Sequence, residues 1–151
     1  MLSKRAKYGI RALLYLADHQ GEGPIQIRDI SEKLEIPRKF LEAILLDLRN
    51  EGILQSRKGK EGGYLMERSP DTVTLGRVIR MIDGPLAYVP CVSQTAYSRC
   101  SDCPDEKSCV IRWIMKDVRD TTAHILDEMT LDRMVEKTRE LGRVSELEYQ
   151  I

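Results

Sequence analysis

A chain of 151 residues, 42% hydrophobic and with a single Trp and a single Phe, can bury one or two small aliphatic cores but not the core of a large enzyme fold. Its 24 Lys/Arg and 24 Asp/Glu cancel, yet residues 1–80 hold 15 basic against 11 acidic side chains and residues 81–151 hold 9 against 13, so the amino-terminal part is the one suited to a polyanion. No window reaches the roughly 18 consecutive apolar residues of a membrane span, and Arg11 and Asp18 interrupt the opening apolar run, which excludes a signal peptide and predicts a soluble cytoplasmic protein without membrane partners.

Taken in order, Ala6, Ile10, Leu13, Leu14 and Ala17 recur at helical spacing between Ser3, an N-cap, and Gly21, a stop, predicting a first helix over 3–19. Ile27, Ile30 and Leu34 mark a second helix. After Ile36-Pro37 comes a third, whose core face is expected to carry Phe40, Leu41, Ile44, Leu45 and Leu48, with Pro37 at its first position. Gly52 ends it, and Ile53 to Arg57 and Tyr64 to Met66 read as two strands joined by a turn through Gly59 and Gly62-Gly63. Three helices and a hairpin make a winged helix-turn-helix, and the fold class is mainly α.

In that arrangement the third helix lies in a DNA major groove. Its outward residues Arg38, Lys39 and Glu42 reach base edges, where a cation favours guanine and a carboxylate accepts from cytosine. Arg49 and Arg57 add backbone contacts, and the wing tip Lys58-Gly59-Lys60 meets phosphates or a minor groove. The competing reading is a helix-turn-helix that only packs against protein, its charges solvated.

Thr74 then caps a short helix carrying Leu75, Val78, Ile79 and Ile82, which ends at Gly84-Pro85. Val110 to Met129 contains neither Gly nor Pro and repeats Ile111, Ile114, Met115, Val118, Ile125 and Met129 at about 3.5 residues. It is the longest element and has little of its own chain to pack on, which predicts pairing with the same helix of a second subunit. A last helix, Thr130 to Leu141, presents Leu131, Met134 and Val135. The expected organisation is 1–84 as the winged DNA-binding domain, 85–109 as a cysteine-rich loop, 110–141 as the dimerisation and terminal helices, and 142–151 as a flexible tail.

All four cysteines, Cys91, Cys100, Cys103 and Cys109, fall in one polar stretch spaced C-x8-C-x2-C-x5-C. Such a loop lacks apolar residues to hold it. Cytoplasmic disulfides are uncommon, so zinc and an iron–sulfur cluster remain open alternatives, with a redox-active disulfide behind both. Cys109 stands at the start of the long helix, where free N–H groups favour a thiolate. His19 and His124 lie on separate helices, and no nucleophile–base set or phosphate-binding glycine loop accompanies them, so neither an enzyme nor a small-molecule substrate is predicted.

The chain resembles the IscR/NsrR-type winged-helix regulators of the Rrf2 superfamily from Leu2 to about Val135. The likeness rests on Lys7-Tyr8-Gly9-Ile10-Arg11-Ala12-Leu13, Ile30-Ser31, Phe40-Leu41-Glu42, Gly62-Gly63-Tyr64-Leu65, the Cys103-x5-Cys109 pair and Thr130-Leu131. The resemblance implies a homodimeric bacterial transcription regulator that binds a double-stranded operator, with long helices crossing at the interface and an iron–sulfur cluster in the cysteine loop. It also implies a base-contacting role for Glu42. The sequence departs from the pattern in three places. A family member usually has three cysteines, matched by Cys91, Cys103 and Cys109, so Cys100 is additional. The position of a histidine ligand in the IscR branch is Arg112, which cannot ligate iron, and the first helix has Lys7 and Tyr8 where the NsrR branch has an aspartate. The expected ligand set is therefore Cys91, Cys100, Cys103 and Cys109, with a 2Fe–2S cluster favoured over 4Fe–4S. The wing carries Lys58 where an arginine is usual, and Lys is the more strongly hydrated cation. A winged-helix protein with structural zinc and a small electron-transfer protein are the rival readings.

Overall fold

The computed structural model describes residues 1–149, with side-chain surroundings through residue 142. Six α-helices and one hairpin follow in the order α1 (Lys4–Asp18), α2 (Ile27–Leu34), α3 (Arg38–Asn50), β1 (Leu54–Arg57), β2 (Gly63–Met66), α4 (Leu75–Asp83), α5 (Val110–Glu128) and α6 (Leu131–Tyr149). Single 3-10 turns at Pro70–Thr72 and Pro90–Val92 precede α4 and open the cysteine loop.

Helix α1 is the centre of the packing. Ser3 caps it, accepting from the Ala6 N–H at 3.0 Å, and its own N–H donates to Asp83 at the end of α4 at 2.9 Å. Ala6, Gly9, Ile10, Ala12, Leu13, Leu16 and Ala17 are buried, so this helix meets α3, α4 and α6 at once. Gly9 eases that approach, since a Cβ would stand 2.7 Å from Ile82 Cδ1 and the end of that side chain would have to shift. The core continues through Ile30, Ile36, Leu41, Ile44, Leu45, Leu48, Ile53, Leu54 and Leu131.

Between α2 and α3 the chain reverses through Glu35 in the left-handed region (φ 53, ψ 42), and Ser31 clasps the corner. Its carbonyl accepts from Ile36 N–H at 3.1 Å while its hydroxyl donates to the Ile36 carbonyl at 2.7 Å. Pro37 is the residue before α3 rather than its first turn, a shift of one position from expectation. The wing pairs Leu54 with Met66 through Arg57 with Gly63. Ile25 bonds Tyr64 in both directions, at 2.9 and 2.8 Å, which lays the entry to α2 alongside β2.

Helix α5 differs from the others, for none of its 19 residues is buried. Its carboxyl end is fastened to α4 by a two-pronged pair, Arg80 Nη1 and Nη2 to Asp127 at 2.6 and 2.9 Å. Leu75 N–H to Met129 carbonyl (2.8 Å) and Leu131 N–H to Val73 carbonyl (3.0 Å) add a backbone bridge. Gly76 leaves the room for it, since a Cβ there would fall 2.0 Å from Asp127 Oδ1. Arg80 and Asp127 perturb each other accordingly, the aspartate held below its ordinary value by the arginine hydrogen bond and the arginine raised by the same bond.

Helix α6 returns to α1 with Leu131 and Val135 buried and Arg139 paired with Asp18. It runs to Tyr149, well past the Leu141 expected from the apolar pattern. Of the proposed flexible tail, 150 and 151 lie outside the described residues.

The wing depends on Gly63, at φ 147 with a Cβ position 2.2 Å from the Ile25 carbonyl oxygen. Gly63→Ala is expected to destabilise the domain by at least about 2 kcal/mol, from left-handed strain together with a backbone clash that no rotamer can relieve. A urea titration followed by circular dichroism measures this; a midpoint equal to that of the parent would mean that the wing does not need this conformation.

Candidate nucleic-acid interface and cysteine centre

Along α3, Leu41, Ile44, Leu45 and Leu48 form the buried stripe, and each is at most 1% exposed. At 100° per residue this stripe leaves Lys39 opposite it and Glu42 and Arg49 on its flank, while Arg38, in line with Leu45, is exposed because it opens the helix. Phe40 does not belong to the core as expected. It is 62% exposed, because it lies a full helical step before Leu41 and off the stripe that α1 covers. With Tyr8, Pro37 and Ala43 it borders an open apolar depression of about 470 Å³.

Arg38 Nε donates to Glu42 Oε1 at 2.9 Å, so the two residues present a paired cation and anion one turn apart. Lys39 stands free between them. Arg49 Nη1 reaches Ser56 Oγ at 3.3 Å and ties the outer end of α3 to the wing. The Gln26 side-chain amide donates to the Lys60 carbonyl at 2.8 Å and steadies the wing tip. Arg38, Lys39, Glu42, Arg49, Arg57, Lys58 and Lys60 are all exposed. Among the described residues, Lys39, Arg57, Lys58 and Lys60 form no ion pair. Helix α3 and the wing, joined by the Arg49–Ser56 contact, thus present uncommitted cations on fixed backbone, the arrangement that neutralises phosphates while a helix enters a groove.

The four cysteines are free thiols. Cys91, in the 3-10 turn, is 5% exposed, and the other three are half-buried. Cys103 N–H closes a turn onto the Cys100 carbonyl at 3.2 Å, the local fold that a C-x2-C spacing permits. Burial, then a hydrogen bond with Cys100, pushes the Cys91 thiol up. Burial, then the neighbouring Cys109, does the same for Cys103. Among the described residues, no three Cys, His, Asp or Glu side chains converge closely enough to hold one ion.

Polar contacts, in place of a core, hold the loop. Tyr97 donates to Glu106 at 2.9 Å, and Arg99 spans the Cys103 and Pro104 carbonyls at 3.0 and 3.1 Å. Asp105 accepts from the Ser108 hydroxyl at 2.8 Å and from the Lys107 and Ser108 N–H groups, each at 3.2 Å, which keeps its carboxyl below the ordinary range. Two arginines of α5 complete the enclosure. Arg119 donates to the Val92 carbonyl, next to Cys91. Arg112 gives its backbone N–H to Cys109 Sγ at 3.5 Å, making Cys109 the side-chain cap of α5. Its guanidinium acts on Cys91 and Tyr97, while its Nε is buried without a partner.

Four thiols suit the soft donor requirement of zinc or of an iron–sulfur cluster. In donor chemistry the thiols suit such a group, but as placed no three ligating side chains converge among the described residues, so holding it requires the loop to gather the thiols and the thiols to lose their protons. Sequence reasoning missed Arg119 and the Arg80–Asp127 fastening. The recoverable signal was Arg112 and Arg119 spaced by seven, two turns apart on the face of α5 that leaves the cysteine loop.

The Rrf2 family profile, described as an iron-dependent transcriptional regulator, matches residues 2–137. An rrf2-like helix-turn-helix type transcriptional regulator of Rhodobacter capsulatus is 39% identical over 138 residues, covering 89% of this chain and 92% of the relative. Among solved structures, that of CymR, the global cysteine regulator of B. subtilis, matches with a TM-score of 0.74 at 28% identity over 91% of this chain and 97% of that one. T. potens IscR matches with a TM-score of 0.73 at 27% identity over 93% and 90% of the two chains. With an exposed basic helix and wing on the matching fold, the chain belongs to the Rrf2 family and is a DNA-binding transcription regulator, not an enzyme.

Proposed function

We propose that this regulator is a homodimer whose operator affinity is governed by an iron–sulfur cluster held by Cys91, Cys100, Cys103 and Cys109. The observation that carries the reading is the placement of all four thiols in one polar loop fastened directly to α5. Similarity to IscR supports iron–sulfur chemistry in such a loop. A bound cluster supplies a group whose presence and charge respond to iron, oxidants or nitric oxide. The protein's own part is mechanical. Gathering the four thiols onto one group pulls on the turn at Val92 and on the cap of α5, and Arg119 and Cys109 carry that change into the helix. The Arg80–Asp127 pair and the Leu75–Met129 bond pass it to α4, which packs on α1. A coupling of about 1–3 kcal/mol suffices, corresponding to roughly 5- to 150-fold in affinity.

Dimerisation is supported by the apolar face that α5 leaves uncovered, with Val110, Ile111, Trp113, Ile114 and Ile125 between 42% and 68% exposed. A second copy of α5 is the occupant, because a regulator that reads a two-fold operator needs two recognition helices at fixed separation. Trp113→Glu places an unpaired charge in that contact and is expected to weaken self-association at least about 100-fold, roughly 3 kcal/mol or more. Sedimentation of parent and variant decides this, and a parent that sediments as a monomer refutes the dimer.

Anaerobically prepared protein is expected to be brown, with iron and acid-labile sulfide, and Cys100→Ala to lose most of both together with the DNA response. Colourless protein with one zinc per chain would establish a structural site instead, and a Cys100→Ala variant with full cluster content would place the fourth ligand elsewhere. At the other end of the molecule, Lys39→Ala should weaken operator binding by about 1–3 kcal/mol if it reads a base, and Lys58→Ala should reduce the salt slope by about one phosphate contact. Unchanged binding in both variants, read by fluorescence anisotropy across a salt series, assigns recognition to another surface.

A further inference from the structure

The outer side of α3 is not uniformly polar. Opposite its buried stripe, Lys39 is followed one turn on by Ala43, and Phe40 stands three residues before Ala43 on the same side. Ala43 is exposed and Phe40 is 62% exposed, both in the amino-terminal half of the helix. They border the same open depression as Tyr8, and the Arg5–Asp47 pair holds this flank of α3 to the start of α1. Single apolar side chains are common on protein surfaces. What sets these two apart is their place beside Lys39, a cation that forms no ion pair among the described residues, on the part of a recognition helix that meets base edges. Of the groups that base edges display in a major groove, the C5-methyl of thymine is the apolar one, and Ala and Phe are among its usual contacts. A protein partner seated on the same patch would have to cover Lys39 as well, whereas operator DNA satisfies the cation and the apolar pair together.

Resting on recognition through α3, we infer that Ala43 and Phe40 form an apolar reading patch for thymine: the Ala43 methyl and the Phe40 ring take up C5-methyl groups of the operator while Lys39 engages a guanine edge or a phosphate beside them. Four residues of helix rise about 6 Å, so the thymine read by Ala43 falls within about two base pairs of the position that Lys39 meets. The patch contributes specificity and no charge. Cytosine at the same place lacks the methyl group and turns its N4 amino group toward an apolar surface, where it loses a hydrogen bond to water.

The test uses the full-length protein and a duplex that it enriches from a random library. Each thymine is replaced in turn by deoxyuridine, which removes the methyl group and keeps the pairing edge, and affinity is read by fluorescence anisotropy for parent, Ala43→Gly, Phe40→Ala and Lys39→Ala. The parent is expected to lose about fourfold at a few thymines, the worth of one buried methyl group, and to be indifferent at the rest. Ala43→Gly and Phe40→Ala should bind the thymine duplex more weakly, with the salt slope of the parent, and no longer distinguish it from the uracil duplexes at those positions. Lys39→Ala should bind more weakly and keep the distinction. A parent indifferent to every uracil, or patch variants that retain its sensitivity, overturns the proposal; recognition through α3 then stands if Lys39→Ala is weakened. A parent that enriches no duplex, or a Lys39→Ala protein that binds as the parent does alongside such indifference, overturns both. Should Ala43→Gly lose helix by circular dichroism, Phe40→Ala decides by the same comparison.

Discussion

Helix α5 is held by a few polar fastenings in place of a buried face. At its start Cys109 caps it, at mid-length Arg119 grips the Val92 carbonyl, and at its end Arg80 clamps Asp127 against α4 while the backbone bonds at Leu75 and Leu131 seal the corner. None of its 19 residues is buried. A helix of that length is unstable in water unless its apolar face is covered, so the rest of the molecule's behaviour turns on what lies along α5. The fastenings make it a lever whose two ends are the cysteine loop and the winged domain.

The contrast between the ends is one of chemistry. The winged domain is an aliphatic core around α1, and at Gly63 the facing backbone leaves no room for a methyl group. Such a core resists change and keeps the basic face of α3 and the wing in fixed register. The cysteine loop is braced by single polar contacts, Tyr97 to Glu106, Arg99 to two carbonyls and Asp105 to its neighbours, each exposed to water and individually weak. A loop of this kind rearranges at low cost, as the proposed sensing role requires, while the winged domain does not.

Much of this was legible in the sequence because local rules act over a few residues. Ser3 and Thr74 cap their helices, Gly84 ends α4, and the 3.6-residue stripe of Leu41, Ile44, Leu45 and Leu48 faces the core. Periodicity alone misassigned Phe40, since an aromatic residue one step off a buried stripe looks like part of it until the width of the covering helix is known. Gly142 likewise reads as the end of α6, but the backbone continues helical to Tyr149.

By itself, then, the sequence determined the elements, their caps, the basic character of the amino-terminal half and the grouping of four thiols, because each depends on neighbours within a turn or two. Only the tertiary structure decided that Arg119 reaches the Val92 carbonyl beside Cys91, that Arg112 carries a buried Nε without an acceptor, and that Arg80 meets Asp127 across the α4–α5 contact. Those relations join residues up to 47 positions apart. They follow from how α5 crosses α4 and the turn at Cys91, a packing outcome of the whole chain that no short window encodes.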